Sequence, residues 1–417
     1  MTARQDDGLG HAAAETAARQ SYGKLVAFLA ARTRDVAAAE DALADAFAAA
    51  LADWPARGVP QKPEAWLLAV ARRKTVDAAR RRRTSQEAAG DLRMLTEELA
   101  SAATETDIPD ERLALMFACA HPAIDAGIRA PLILQTILGF DAATIASAFL
   151  AAPATMGQRL VRAKQKIALA GIPFRLPERT DLPDRLEAVL EAIYATFTEG
   201  WSDPIGTETR RRNLAEEGIW LGRLVASLLP DEAEALGLLS LMLYAEARRP
   251  ARRDPKGEFV PLGEQDTGLW NADLIAEAES LLRTASAQGA LGRYQLEAAI
   301  QSAHVVRRLT GRADWHAIER LYDALFIITQ SQVVAINRAV AIAETRGAAA
   351  GLAALDALSQ DRRLADYQPY WAARAELLAR TGAAAEADRA YELAIGLESD
   401  PAVRRFLEQR RDAVKPH

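Results

Sequence analysis

Residues 139–171 read GFDAATIASAFLAAPATMGQRLVRAKQKIALAG, and the fold class follows from this stretch. Gly139 can stop a helix, because glycine enters the left-handed backbone of a C-terminus without a Cβ clash. Asp141 is suited to cap the next helix, expected from Asp141 to Leu150. Ala151-Ala152-Pro153 makes a short turn, and a further helix runs from about Ala154 to Ala170. Within it Met156, Leu160, Ala163 and Ile167 recur at i, i+4, i+7 and i+11, an apolar stripe one face wide. Two helices joined by so short a turn form a helix-turn-helix.

The opposite face of the second helix carries Thr155, Gln158, Arg159, Arg162, Gln165 and Lys166, and no acidic residue occurs between Ala142 and Gly171. A helix that docks by one face and offers donors from the other can meet base edges and phosphates in a major groove. An ordinary solvated face would share the amphipathic pattern. The position after a helix and turn, together with the lack of acids, favours DNA.

Upstream, residues 63–83 read PEAWLLAVARRKTVDAARRRR. Seven basic residues (Arg72, Arg73, Lys74, Arg80, Arg81, Arg82, Arg83) stand against Asp77 alone, a balance of +6 over twelve positions. A helix that starts apolar and ends this basic can pack by one end and hold phosphates by the other. Arginines at a helix C-terminus also suit the dipole with no ligand at all. Trp66 is equally open, as core or as a platform on which an unpaired base could stack. Before it, Asp35 is a good N-cap for a helix expected to run to Trp54-Pro55, with Val36, Ala39, Leu43, Phe47 and Ala50 toward the core. Asp41 and Asp45, four apart, flank that stripe; alone they read as a solvated acidic face.

The rest of the chain sets the limits. It has 417 residues, 50% hydrophobic and 6% aromatic, with much alanine and few alternating β-branched runs. The class is therefore all-α. A first body is expected over 12–83, a polar acidic linker over 84–108 with a short helix at 91–100, and a second body over 109–172. A helical C-terminal region spans 182–417, broken by loops at 202–206 and 250–268. There, helices 313–328 and 331–346 should pair. Trp371, Ala375, Gly382, Ala387, Tyr391, Ala394 and Pro401 approximate one tetratricopeptide repeat.

Cys119 is the single cysteine, so disulfide frameworks and cysteine-rich metal sites are excluded. It is expected in a helix core that His121-Pro122 ends. No apolar run approaches the roughly 18 residues of a membrane span, and Asp6 and Asp7 do not suit a signal peptide, so a soluble cytoplasmic protein is expected. Phosphate-binding glycine loops, HExxH and Gly-x-Ser-x-Gly are missing, which points away from an enzyme. Residues 1–171 carry 21 Lys+Arg and 20 Asp+Glu, a balance of +1; the remainder carries 30 and 37, a balance of −7.

Taken in order, these stretches resemble the extracytoplasmic-function (group IV, sigma-70 type) RNA polymerase sigma factors. Ser21–Arg83 resembles their region 2. Within it Ala39–Phe47 (AEDALADAF) stands where the family binds the polymerase clamp, and Trp66–Arg80 where it recognises and melts the −10 element. Asp110–Ala170 resembles region 4, with Ala154–Lys166 as the −35-reading helix. The remainder resembles a subgroup with a long helical, tetratricopeptide-like C-terminal extension. The stretches that carry this likeness are GIPFR (171–175), FTEGW (197–201), PLGEQDTGLW (261–270) and VVAINRAVA (333–341).

The resemblance implies a sigma factor with no catalysis, no cofactor and no metal. Its partners would be the core polymerase through the β′ and β subunits, promoter DNA, and a regulatory protein or ligand at the C-terminal domain, with no membrane. It implies clamp binding by Asp41, Asp45 and Phe47. The −10 contacts fall to Trp66, Arg72, Arg73, Lys74, Asp77, Arg80 and Arg81, and the −35 contacts to Thr155, Gln158, Arg159, Arg162 and Lys166. Two positions depart from the family pattern: Arg73 stands where Asn is frequent, and Ala44 where Gln is common. The rival readings are a helix-turn-helix regulator that needs no polymerase and a helical-repeat scaffold for peptides.

Overall fold

Asp35 lies in extended backbone, and its carboxylate accepts the Ala38 N–H at 3.0 Å. That cap starts the helix that organises the first part of the molecule. The structure, a computed structural model, describes residues 3–82, 110–149, 151–178, 180–201, 209–361 and 364–414. The expected linker helix at 91–100 and the loop at 202–206 lie outside the described residues. Among those described, regular structure is helical, with one isolated bridge between Arg253 and Phe259. The class is all-α.

Two compact units divide the chain: residues 1–201 with 210–218, and residues 219–417 with 202–209. The first opens with α1 (Ala3–Thr33), α2 (Val36–Arg57) and α3 (Pro63–Arg82). α2 packs on both neighbours. It buries Val36, Ala39, Ala42, Leu43, Ala46, Ala50 and Trp54. Phe47, expected inside, is only half-buried, because Ala46 takes the inward place. The helix also continues past Trp54-Pro55 to Arg57, and the Gly58 N–H closes the last turn onto the Trp54 carbonyl at 2.9 Å. Gly58 has φ 84°, a conformation that glycine takes without strain. A hydrogen bond from Ser21 to Glu64 ties α1 to the first turn of α3.

The unit continues with α4 (Arg112–Cys119), α5 (Ala126–Leu138), α6 (Ala142–Ala148), α7 (Pro153–Leu169) and α8 (Leu182–Trp201). Gly139 takes φ 73° at the end of α5, and Asp141 accepts the Thr144 N–H at 2.8 Å to start α6. Both therefore act as the sequence implies. α6 packs on α7, α7 on α5, and α8 on α4 and α5, where Arg185 donates to the Phe117 carbonyl at 2.7 Å.

The helices of 109–172 do not stand apart from those of 12–83. α4 and α5 lie against α1, and α7 lies against α2. Gly23 makes the first approach possible, since any Cβ there would run into the Ile137 carbonyl.

In the second unit α9 (Thr209–Leu228) contributes its later residues, followed by α10 (Ala233–Ala247), α11 (Ala272–Ala287) and α12 (Arg293–Val305). α10 packs on α11 and α12, where Ser240 donates to the Ala278 carbonyl at 2.8 Å. Glu234 on α10 accepts the Tyr294 and Gln295 N–H groups at 2.9 and 3.1 Å, so a neighbouring helix supplies the cap of α12. A short turn, α13 (Arg307–Thr310), leads to α14 (Trp315–Thr329), α15 (Gln332–Arg346), α16 (Ala348–Asp356), α17 (Gln368–Arg380), α18 (Ala384–Leu397) and α19 (Pro401–Val414). Consecutive helices from α14 to α19 pack as hairpins. Ala375, Ala387, Tyr391 and Ala394 fill the core between α17, α18 and α19.

The 250–268 loop is not free in this unit. Arg253 pairs with Asp400, Arg405 with Glu258 at 3.0 Å, and Arg410 with Glu264 at 2.9 Å. Phe259 meets Phe406 edge to face at 5.4 Å. The loop is thereby fastened to α19.

Candidate nucleic-acid interface

The basic helix α3 presents Arg73 and Lys74 to solvent. Trp66 is half-buried, with its ring 5.6 Å from that of Trp54 at 67°, an edge-to-face pair. Trp66 therefore packs against a core tryptophan without being fully enclosed. Arg72 is partly buried, and loss of hydration holds its guanidinium below the usual arginine range. Asp77, Arg80 and Arg81 fall on α3 but lie outside the residues whose side chains are described.

On α2, Asp41 and Asp45 are exposed and Phe47 is half-buried. Lys74 Nζ lies 3.3 Å from Asp45 Oδ2, and both side chains are about half exposed. An exposed pair of this kind contributes only about 0–1 kcal/mol, so either partner can be released to another ligand cheaply.

α7 divides as its periodicity requires. Met156, Leu160, Ala163 and Ile167 are buried, whereas Thr155, Gln158, Arg162 and Lys166 face solvent. Arg159 is partly exposed and lies 3.3 Å from Asp125. With Ile124, Asp125 and Ile128, the side chains of Arg159, Arg162 and Lys166 line an open groove of about 200 Å³. Three cations and one carboxylate make it electropositive.

Sequence reasoning missed the contact that joins α2 to α7. Lys164 Nζ sits 2.5 Å from Glu40 Oε2, with the side chains only 10% and 13% exposed. The partners are 124 residues apart, and no period or motif links them. Burial pushes the Glu40 carboxyl above the usual carboxylate range; Lys164 pulls it back and Asp41 adds to the rise. The second carboxylate oxygen, Oε1, is buried with no partner among the described residues. Tyr22 is raised well above the ordinary phenol range, first by burial and then by Glu40 and Asp41. Cys119, fully buried with Sγ 3.5 Å from Thr136 Oγ1, is pushed up to about 12 by burial. A thiol so placed is an inert core group.

Among the described residues, no group of three His, Cys, Asp or Glu is placed to hold a metal, and no helix is long and apolar enough to cross a membrane.

Against known families, residues 18–85 match Sigma-70 region 2, and residues 185–286 match a family of unknown function (DUF6596). The first match covers the second half of α1 with all of α2 and α3. An uncharacterized protein of Rhizobium meliloti (strain 1021) is 36% identical over 412 residues, covering 98% of this chain and 96% of that protein. No solved structure matches. Region 2 connects the chain to RNA polymerase, promoter DNA and transcription initiation in general. The chain carries a region 2 of the sigma-70 type, which supports a sigma-70 family sigma factor, and belongs to one family with the Rhizobium meliloti protein.

Proposed function

We propose that the chain is a promoter-specificity subunit of the extracytoplasmic-function type. Region 2 docks Asp41, Asp45 and Phe47 on the clamp of the β′ subunit, and the basic half of α3 holds the opened −10 strand. α7 enters the −35 major groove with Thr155, Gln158, Arg159, Arg162 and Lys166. The observation that carries this reading is the region 2 match, which takes in the whole of α3 with its basic half. The exposed donors of α7, with no acid on that helix, support its second half. The region 4 body (109–172) and the regulatory extension (182–417) belong to this proposal. So does the tetratricopeptide-like character of the last hairpins, which the small buried residues Ala375, Ala387 and Ala394 favour.

The test is binding to purified core RNA polymerase, followed by transcription from a fragment library of the source genome. Start sites that share −35 and −10 elements are expected. Asp41→Ala with Asp45→Ala should weaken polymerase binding and leave affinity for duplex DNA unchanged. Stoichiometric DNA binding without polymerase would replace this reading with the polymerase-independent regulator.

A further inference from the structure

The second unit holds a cavity that none of the matches explains. It measures about 250 Å³ and is lined by Leu262, Gly263, Trp270, His304, Arg307 and Trp315, together with residues 311–313, among them Arg312. Residues 261–270, one of the stretches that carry the family likeness, supply three of these: Leu262, Gly263 and Trp270.

Charge is the first observation. No acidic residue lines the cavity, although the region it belongs to is acidic overall. Arg307 donates to the Leu262 carbonyl at 2.5 Å and to the Gln265 carbonyl, and its guanidinium lies 5.4 Å from the centre of the Trp270 ring. Carbonyls and a ring orient the cation without neutralising it. Arg312 is exposed and makes no ion pair among the described residues. Nearby acids are engaged elsewhere: Glu264 with Arg410, Asp266 with the Gly268 N–H, and Asp314 with the Ala317 N–H.

Unsatisfied polarity is the second. Trp270 is only 4% exposed, yet its indole Nε1 has no acceptor among the described residues. A buried N–H without a partner costs about 1–3 kcal/mol, which a small turn of the ring toward an acceptor in the cavity recovers. His304 stands edge to face with Trp315 at 5.3 Å. Burial, with Arg248 and Arg307 nearby, pushes it down to about 4, so it lines the wall as a neutral imidazole.

Shape is the third. A dry cavity of about 150 Å³ is enough for benzene, so this one has room for a ring with a charged substituent. Two indoles supply apolar wall surface, and two arginines supply the counter-charge.

We propose that this cavity binds a small organic anion, a single flat ring bearing one carboxylate or phosphate. The anionic group lies toward Arg307 and Arg312, and an acceptor atom meets the Trp270 N–H once that ring has turned slightly toward the cavity. The site is distinct from the DNA-facing residues and does not depend on the proposed promoter function.

The experiment is isothermal titration of the full-length protein with four probes: benzoate, phenyl phosphate, uncharged benzyl alcohol and inorganic phosphate. One of the two aryl anions is expected to bind one-to-one with a Kd below about 1 mM. Which of them binds separates carboxylate from phosphate recognition. Benzyl alcohol and inorganic phosphate should each bind at least about tenfold more weakly, because each lacks one half of the recognition. Arg312→Ala, at an exposed position, should reduce affinity by about tenfold while leaving the thermal unfolding of the free protein unchanged. Trp270→Phe keeps the ring and removes the N–H, and should weaken the same ligand severalfold. The proposal is overturned if neither aryl anion binds at millimolar concentration, if benzyl alcohol binds as tightly, or if Arg312→Ala leaves affinity unchanged. Neither DNA nor polymerase enters the assay, so its failure would leave the sigma-factor reading untouched.

Discussion

Lys164→Met should loosen α7 from α2, and by an amount that depends on pH. Lys164 and Glu40 meet at 2.5 Å with little solvent access, and the other Glu40 oxygen lacks a partner among the described residues. Removing one partner of a buried pair costs about 3–5 kcal/mol when the remaining charge cannot escape. Glu40 can escape by taking up a proton, and burial has already moved its carboxyl in that direction. The folded protein therefore keeps this proton to a higher pH than the unfolded chain does. Between the two values it binds more protons than the unfolded chain, so stability falls as pH rises through that window and levels off above it. Without Lys164 the window extends upward. The loss should be about 3 kcal/mol near pH 8 and markedly smaller near pH 5. The assay is hydrogen-exchange mass spectrometry of α2 and α7 peptides, with α14 and α15 peptides as internal reference. At about 1.4 kcal/mol per decade, roughly hundredfold faster exchange is expected near pH 8. Glu40→Leu combined with Lys164→Met should recover most of the protection, since an apolar pair can replace a buried ionic one. Equal losses at both pH values, or no recovery in the double variant, would refute the reasoning.

Four further outcomes are expected. Cys119 should resist a maleimide near pH 8 in the native protein and react promptly in denaturant, because its thiolate is disfavoured by complete burial; mass spectrometry of the adduct reads this directly. Glu234→Ala should destabilise the second unit by about 1–2 kcal/mol, since it strands the Tyr294 and Gln295 N–H groups at the start of α12, and local exchange of that helix would report it. Trp66→Phe should retain most of the packing on Trp54, whereas Trp66→Ala should cost about 2 kcal/mol in chemical denaturation, less than a fully buried tryptophan would. Arg162→Ala should lower affinity for promoter duplex by roughly 1–3 kcal/mol if it reads a base, in a titration at fixed salt.

The parts of this molecule that sequence made readable are those with local physics. Gly139, Asp141 and the Met156–Ile167 stripe define the ends and faces of α5, α6 and α7 through contacts within a few residues. The pairing of α14 with α15 was readable for the same reason, since a short connection forces neighbouring helices together. What sequence could not give is contact at long range. Glu40 lies just beside the acidic pair of α2 and nothing in its neighbourhood marks it for burial against a lysine from α7. Phe47 shares the helical period of the core yet is only half-buried, because a stripe of alanines leaves the inward position to Ala46. The cavity draws on residues from 262 to 315, brought together by the loop fastened to α19. Only the tryptophan-bearing motif at 261–270 hinted at it.

The contact between α2 and α7 has a consequence measured along DNA. On the proposed reading, the −10 and −35 elements are about 25 base pairs apart by their names, which is roughly 85 Å of duplex at about 3.4 Å per step. Their readers, in the structure described, belong to one compact unit in which α2 and α7 share a buried ion pair. No arrangement in which those helices touch can span that distance, so docking on both elements requires the unit to come apart first. Promoter affinity is then multiplied by the fraction of molecules already parted, a fraction that the free energy of the α2–α7 and α1–α5 contacts sets. Whatever engages one half first raises the effective concentration of the other at its own element. The same interface that stabilises the resting protein would thus set a threshold for engagement.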